Sequence, residues 1–452
     1  MINKLKAKFT ATNDNKNLIN NIFSLSILHG LNYILPMLTI PYLVRVLGPE
    51  YFGLLAYATS IISFFILITD YGFNLSATRQ VSIHREDKKK INDIFSSVMT
   101  IKIALLLISA VVLSIFIFSI DKFNENWELY FITFGMVFGS VIYPVWLFQG
   151  LERMKYITYL DVGFKGLFTA CIFIFVKEPA DYLLVPLLTS MGFITAGIGS
   201  LILVRKKFEV KFISQSLSMI KFQLKEGWYV FFSSIGTTLY TNGTVIILGL
   251  FTNNSVVGYF AAAEKIVRAG KKLYAPIAQA IYPSISLKIK NDKKAGLQFI
   301  RKTSFIMGSI MLVLSLFIFI FAEPIVNLLL GNQFQQSIIP LKIMAFLPFI
   351  FTLSNILGVQ TMLNLGYGRE YSLIITITSV FSIAMATILI FFYKSIGASL
   401  SLLITQILIL VILSFFMIYK IKNQKKYESS NISWRFRYPI KRRNSNEAQT
   451  NG

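Results

Sequence analysis

Twelve stretches of this chain are apolar over lengths that fit a bilayer, and most hold eighteen or more consecutive uncharged residues. They run over 19–43, 52–78, 94–119, 128–150, 156–176, 182–204, 227–250, 256–287, 303–322, 337–363, 372–393 and 396–419. A helix needs about 20 apolar residues to cross the hydrocarbon core of a membrane. Inside that core the backbone must satisfy its own polar groups, which leaves helices as the way to use such segments. Only 14% of the residues are charged and mean hydropathy is +0.63, where a soluble protein carries about 25% charged residues. The expected fold is therefore an all-α integral membrane protein with about twelve transmembrane helices.

The formal charge of +23 would suit a nucleic-acid binder if it were clustered on one soluble face. Its placement argues for membrane topology instead. With the N-terminus in the cytoplasm, 33 of the 44 Lys and Arg residues fall in the inside segments. Only Arg45, Lys122, Lys177 and Lys394 fall outside, and seven lie within spans. Cytoplasmic loops of membrane proteins carry this excess of cations, so an even number of spans and two cytoplasmic termini are expected. Residues 1–17 are polar and Lys-rich, and the apolar run behind them, Leu18–Val44, is 27 residues long. That is too long for a signal-peptide core, so it reads as the first span. The basic tail from about Lys420, including Arg437, Lys441, Arg442 and Arg443, is expected to rest against the anionic inner leaflet.

The eighth span breaks the apolar rule. Within residues 256–285 stand Glu264, Lys265, Arg268, Lys271 and Lys272. Stepped round a helix at about 100° per residue, all five share an arc of roughly 120°, together with Gln279 and Tyr282. Cations at bilayer depth are costly and usually face a water-filled cavity or a bundle interior. A competing reading makes 264–272 an aqueous loop. The 15 uncharged positions of 273–287 then fall short of a span, which favours one continuous helix kinked at Pro276 and Pro283. A cationic stripe facing a cavity is a receiver for an anion.

A weak internal repeat divides the chain. GLLAYA at 53–58 opens the second span and GYFAAA at 258–263 opens the eighth, an offset of 205 residues; Gln149 and Gln360 end the fourth and tenth spans, 211 residues apart. Six spans per half fits a transporter with its site between the halves: a lobe over 1–204, a basic cytoplasmic linker over 205–226, a second lobe over 227–419 and the tail 420–452. Each half also carries an intramembrane acid and base at i,i+4, Asp161 with Lys165 and Glu264 with Arg268, a spacing that puts both on one helix face. For the first pair mutual neutralisation accounts for the residues. For the second, one glutamate cannot offset four cations.

Catalytic and metal chemistry find no footing. The lone Cys171 sits in an apolar run, His29 and His84 are far apart, and no phosphate loop or nucleophile set is present. No catalytic residue, metal site, cofactor or nucleic-acid partner is expected. A membrane polymerase or ligase would need a substantial outer loop with Arg or His, and every outside loop here is short.

Several motifs resemble those of the O-antigen flippases, the Wzx-type polysaccharide transporters of the multidrug/oligosaccharidyl-lipid/polysaccharide exporter superfamily. They are NYILP at 32–36, PYLVRVLGP at 41–49, DYGFNLSATR at 70–79, WLFQGLERMKY at 146–156, AEKIVR at 263–268 and GVQTML at 358–363. The resemblance implies two six-helix lobes around a central cavity that opens to alternate sides of the bacterial inner membrane. It implies an undecaprenyl-diphosphate-linked sugar repeat unit as substrate, with membrane lipids and other polysaccharide assembly proteins as partners. A lipid-linked peptidoglycan precursor flippase or a drug exporter of the same superfamily stays open as an alternative, although a cationic drug would want an acidic or apolar cavity. The substrate-binding candidates are Arg268, Lys265, Lys271, Lys272, Gln279, Lys165, Gln149 and Gln360, because a diphosphate suits guanidinium and ammonium donors and amides suit sugar hydroxyls; Asn74 and Asn242 join the amides. Glu264, Asp161 and Asp70 are the carboxylates considered for coupling to a proton or sodium gradient or to membrane potential.

Overall fold

The computed structural model describes residues 38–437, with side chains for most of them as far as Lys420. Most of the expected first span, His29 and the cations 441–443 lie outside the described residues. Within them the chain is helical, with no strand. Helices run over α1 (38–70), α2 (Phe73–Ile83), α3 (Lys88–Ser119) and α4 (Trp127–Ile142). They continue as α5 (Val145–Gly150), α6 (Lys155–Phe175), α7 (Leu184–Lys206), α8 (Leu217–Phe251), α9 (Asn254–Lys272) and α10 (Ala275–Asn291). Then follow α11 (Lys293–Ile320), α12 (Ala322–Leu329), α13 (Ile338–Met344), α14 (Leu347–Asn355) and α15 (Gly368–Arg437).

Nine stretches of the described residues are long and apolar enough to cross a membrane. Two of them join expected spans. Gly48, at φ +69 and followed by Pro49, bends α1 between the expected first and second spans, the glycine-then-proline order of a helix stop. Lys394, at φ +50 and ψ −124, kinks α15 between the expected eleventh and twelfth spans. The ends of several helices are set by local chemistry. The Asp87 carboxylate accepts from Lys89 N and Lys90 N at the start of α3, and Asn253 accepts from Val256 N at the start of α9; both fill orphan donors of a first turn.

The eighth expected span departs from the sequence reading. It is two helices, α9 and α10, divided at Leu273–Tyr274, and neither counts among the nine apolar stretches. The last turn of α9 tightens, with Leu273 N bonded to Gly270 O at 3.3 Å and Tyr274 N to Lys271 O at 3.2 Å. Pro276, inside the first turn of α10, has no N–H to continue the α9 ladder, and a proline ring clashes with the carbonyl four residues back. The break therefore precedes Pro276, and the expected kink at Pro283 does not interrupt α10.

The two halves of the chain meet closely at the start of α9. A Cβ on Gly53 would lie 1.8 Å from Asn254 O, and one on Gly258 would lie 2.1 Å from Pro49 O. Gly53 and Gly258 stand 205 residues apart, and so do Pro49 and Asn254. The contact is thus one glycine-on-carbonyl approach made twice, once by each copy of the repeat, and only glycine allows backbones this near. Arg45 donates to Leu328 O and Lys122 to Gly249 O across the halves as well. Two of the four cations assigned to outside loops therefore tie the halves together. Burial pushes the Lys122 ammonium below its usual range, partly opposed by Glu125.

At the far end of α1 the halves touch again. Tyr71 (φ +46) and Gly72 (φ +78) turn the chain from α1 into α2 against α8. The Tyr71 ring stacks on Phe231 at 4.8 Å, and the Gln80 and Gln223 amides exchange hydrogen bonds of 2.8 and 2.9 Å.

Candidate functional site

Between these contacts lies a cavity of about 530 Å³. One wall comes from the first half of the chain, through α1, α4, α6 and α7; the other comes from α8 and α9. The charged side chains on it are Glu264, Lys265, Arg268 and Lys272, all from α9. The helical phase of α9 explains their grouping, since Val257, Ala262, Ala263, Val267 and Gly270 are buried and do not line the cavity.

Arg268 Nε donates to Glu264 Oε1 at 2.8 Å, and the Arg268 side chain remains 43% exposed against 15% for Glu264. A guanidinium has five N–H donors, and this bond uses one of them. Lys265 lies over the Phe52 ring at 4.5 Å from its centroid, a cation–π contact that crosses from one half to the other. Lys272 lines the cavity and is exposed. Lys271 turns elsewhere, with its ammonium 5.7 Å from the Phe351 ring centroid, and it is absent from the cavity wall. The arc of five charges thus divides between the cavity and the neighbouring α14.

The remaining sequence candidates are dispersed. Lys165 pairs with Asp161 at 2.8 Å within a π-helical turn, Asp161–Gly166, and its ammonium lies 4.2 Å from the Phe193 ring centroid and 4.9 Å from that of Tyr143. Neither residue lines the cavity. Gln149 accepts from Thr78 at 3.5 Å. Gln360 is 3% exposed and donates to Ala278 O at 3.0 Å. Asn74 is exposed near the start of α2. The side chain of Gln279 lies outside the described residues. Asn242 is the amide that reaches the cavity, where it donates to Ser63 Oγ at 2.9 Å.

Two features escaped the sequence reading. Asp70 is paired with Lys102 at 3.9 Å, the lysine side chain being 2% exposed, and Lys102 also reaches Ser140 O at 3.3 Å. A lysine inside an apolar span was the available signal. The second feature is a set of hydroxyl side chains on the first-half wall, Thr59, Ser63, Thr169 and Thr189 among them. Among the described residues, no group of three or more His, Cys, Asp and Glu side chains could hold a metal ion.

The family described as polysaccharide biosynthesis protein matches residues 18–289. A protein of Escherichia coli (strain K12) named as an O-antigen transporter is 34% identical over 406 residues, covering 90% of this chain and 98% of the relative. The chain belongs to the polysaccharide biosynthesis protein family. A second relative of that name, from Shigella dysenteriae, is 29% identical over 86% of this chain and 98% of its own length. In fold, this family member is similar to an inward-facing multidrug transporter of the MATE family, MOP superfamily, with a TM-score of 0.70, 15% identity and coverage of 87% and 96%. It is likewise similar to the lipid II flippase MurJ in an inward closed conformation, with a TM-score of 0.66, 15% identity and coverage of 87% of each chain. This family member is thus a multi-pass membrane transporter, helical throughout its described membrane-spanning stretches.

Proposed function

We propose that this transporter flips an undecaprenyl-diphosphate-linked sugar repeat unit across the bacterial inner membrane by alternating access. The observation that carries this reading is the charged wall of the cavity, with Lys265, Arg268 and Lys272 gathered on one face around a single glutamate. A diphosphate is a multivalent anion, and a guanidinium offers it a planar fork of donors that an ammonium cannot. The same wall disfavours a cationic drug as cargo. Two lobes, 1–204 and 227–419, joined by the basic linker 205–226, would rock about this cavity, with both termini and the tail 420–452 in the cytoplasm. Asp70, Asp161 and Glu264 are the carboxylates through which a proton or sodium gradient would act, or the membrane potential would act on the wall charges directly. Other polysaccharide assembly proteins would receive the product.

The test is surface-polysaccharide assembly in cells lacking their native transporter, with variants at matched abundance. Arg268→Ala loses assembly, and Arg268→Lys is intermediate. One charged contact to phosphate in a wet cavity contributes about 1.5–3 kcal/mol, or roughly ten- to a hundredfold in affinity. Near-normal assembly by Glu264→Gln/Arg268→Gln would mean that the arginine merely neutralises its neighbour, and the proposal would fall.

A further inference from the structure

The wall opposite the cations has a polarity of its own. Thr59 donates its hydroxyl proton to Leu55 O, Thr169 to Lys165 O and Thr189 to Val185 O, each at 2.7 Å. Ser63 donates to Ser60 O at 2.7 Å and accepts from Asn242 Nδ2 at 2.9 Å. A hydroxyl has one proton and two acceptor lone pairs. With each of these four protons committed to a helix carbonyl, the four oxygens can only accept. The four residues come from three helices, α1, α6 and α7, and all of them line the cavity.

We infer that this wall is the sugar subsite, and that it selects a neutral, hydroxyl-rich sugar over an acidic one. The inference rests on the diphosphate reading of the α9 wall. Sugar hydroxyls and acetamido N–H groups bring the donors that an acceptor-only surface lacks. A carboxylate or phosphate placed there would find no donor among the four hydroxyls, and an anion taken from water without donors is strongly disfavoured. The two walls therefore sort one substrate into its two parts, with the diphosphate against α9 and the first sugar against α1, α6 and α7.

Binding of three lipids to the purified full-length transporter tests this. The probes are undecaprenyl diphosphate alone, its N-acetylglucosamine conjugate and its glucuronic acid conjugate. For the native chain the N-acetylglucosamine lipid binds tighter than the bare lipid, and the glucuronic acid lipid does not. Each neutral hydrogen bond is worth about two- to tenfold in affinity, so Thr59→Val/Thr169→Val/Thr189→Val removes most of the sugar's advantage and leaves the bare lipid within about twofold of native. The corresponding triple Thr→Ser variant keeps the oxygens and the advantage. Arg268→Ala weakens all three lipids alike. If the valine variant keeps the sugar preference while Arg268→Ala weakens all three, the sugar subsite is refuted and the diphosphate site stands. Equal losses in the serine and valine variants, or tighter binding of the glucuronic acid lipid than of the neutral one, also refute it. If Arg268→Ala alters no affinity, the diphosphate reading fails and takes the sugar assignment with it.

Discussion

The doubled glycine contact between α1 and α9 makes a quantitative prediction about how the transporter distributes itself between states. A Cβ on Gly53 would lie 1.8 Å from Asn254 O, and one on Gly258 2.1 Å from Pro49 O. Both obstacles are backbone, so no side-chain rotation relieves them, and the helices must part by roughly 1.5 Å to restore ordinary packing. Overpacking of this kind costs about 1–3 kcal/mol. The cost falls only on the state in which the halves touch here, so each alanine shifts the balance toward separation by about 5- to 150-fold. In the proposed topology, with both termini in the cytoplasm, this contact lies at the outer end of the cavity, and separation there would open a path from outside. A cysteine at Thr59, introduced with Cys171→Ser, reads that path through its rate of labelling by a membrane-impermeant maleimide applied from outside. Gly53→Ala and Gly258→Ala each raise the rate, and by similar factors, since the two contacts are copies of one another. Unchanged labelling in both variants at normal abundance would show that this contact is not a barrier between cavity and exterior.

Three further outcomes are expected. Asp161→Ala lowers abundance and transport more than Asp161→Ala/Lys165→Ala, because it strands a cation that the double change removes; a worse double variant, measured by membrane abundance and polysaccharide assembly, contradicts that structural role. Lys102→Met leaves the Asp70 carboxylate without its ammonium and costs about 3–5 kcal/mol, visible as a lower melting temperature in detergent that Asp70→Asn/Lys102→Met largely restores; failure of the double variant to recover shows that the pair is not coupled. A reporter fused after Gly452 reads cytoplasmic, and a periplasmic reading overturns the even span count.

What the sequence disclosed and what it hid follow from the range of the interactions involved. Uncharged runs announce spans because the bilayer tests each segment alone. The pairs Asp161–Lys165 and Glu264–Arg268 were legible because a helix brings i and i+4 together whatever surrounds it. Lys271 shows where that logic stops. Its phase placed it in the charged arc, but an arc of roughly 120° is wide enough to touch two neighbours, and which one each residue meets depends on helices distant in sequence. The pairing of Asp70 with Lys102 joins α1 to α3 and leaves no periodic trace. The hydroxyl wall is assembled from helices scattered along the first half, and Ser and Thr are unremarkable in any one of them. At Pro276 the sequence marked the irregularity but not its form, because the tightened turn of α9 absorbs the break two residues earlier.

The bond from Arg268 to Glu264 also bears on letting go. A transporter that holds a diphosphate tightly on one side of the membrane is of no use if the diphosphate never leaves on the other. Glu264 stands 2.8 Å from the guanidinium as a resident rival for it, always present and never diffusing away. On the proposed diphosphate reading, an arriving phosphate would have to displace that rival in part, and a departing one would be replaced without the arginine facing the cavity bare. The acid would then lower the affinity of the loaded state and raise the stability of the empty one. Both effects would shorten the time a cargo spends in the cavity, so that turnover would depend on the acid as much as affinity on the base.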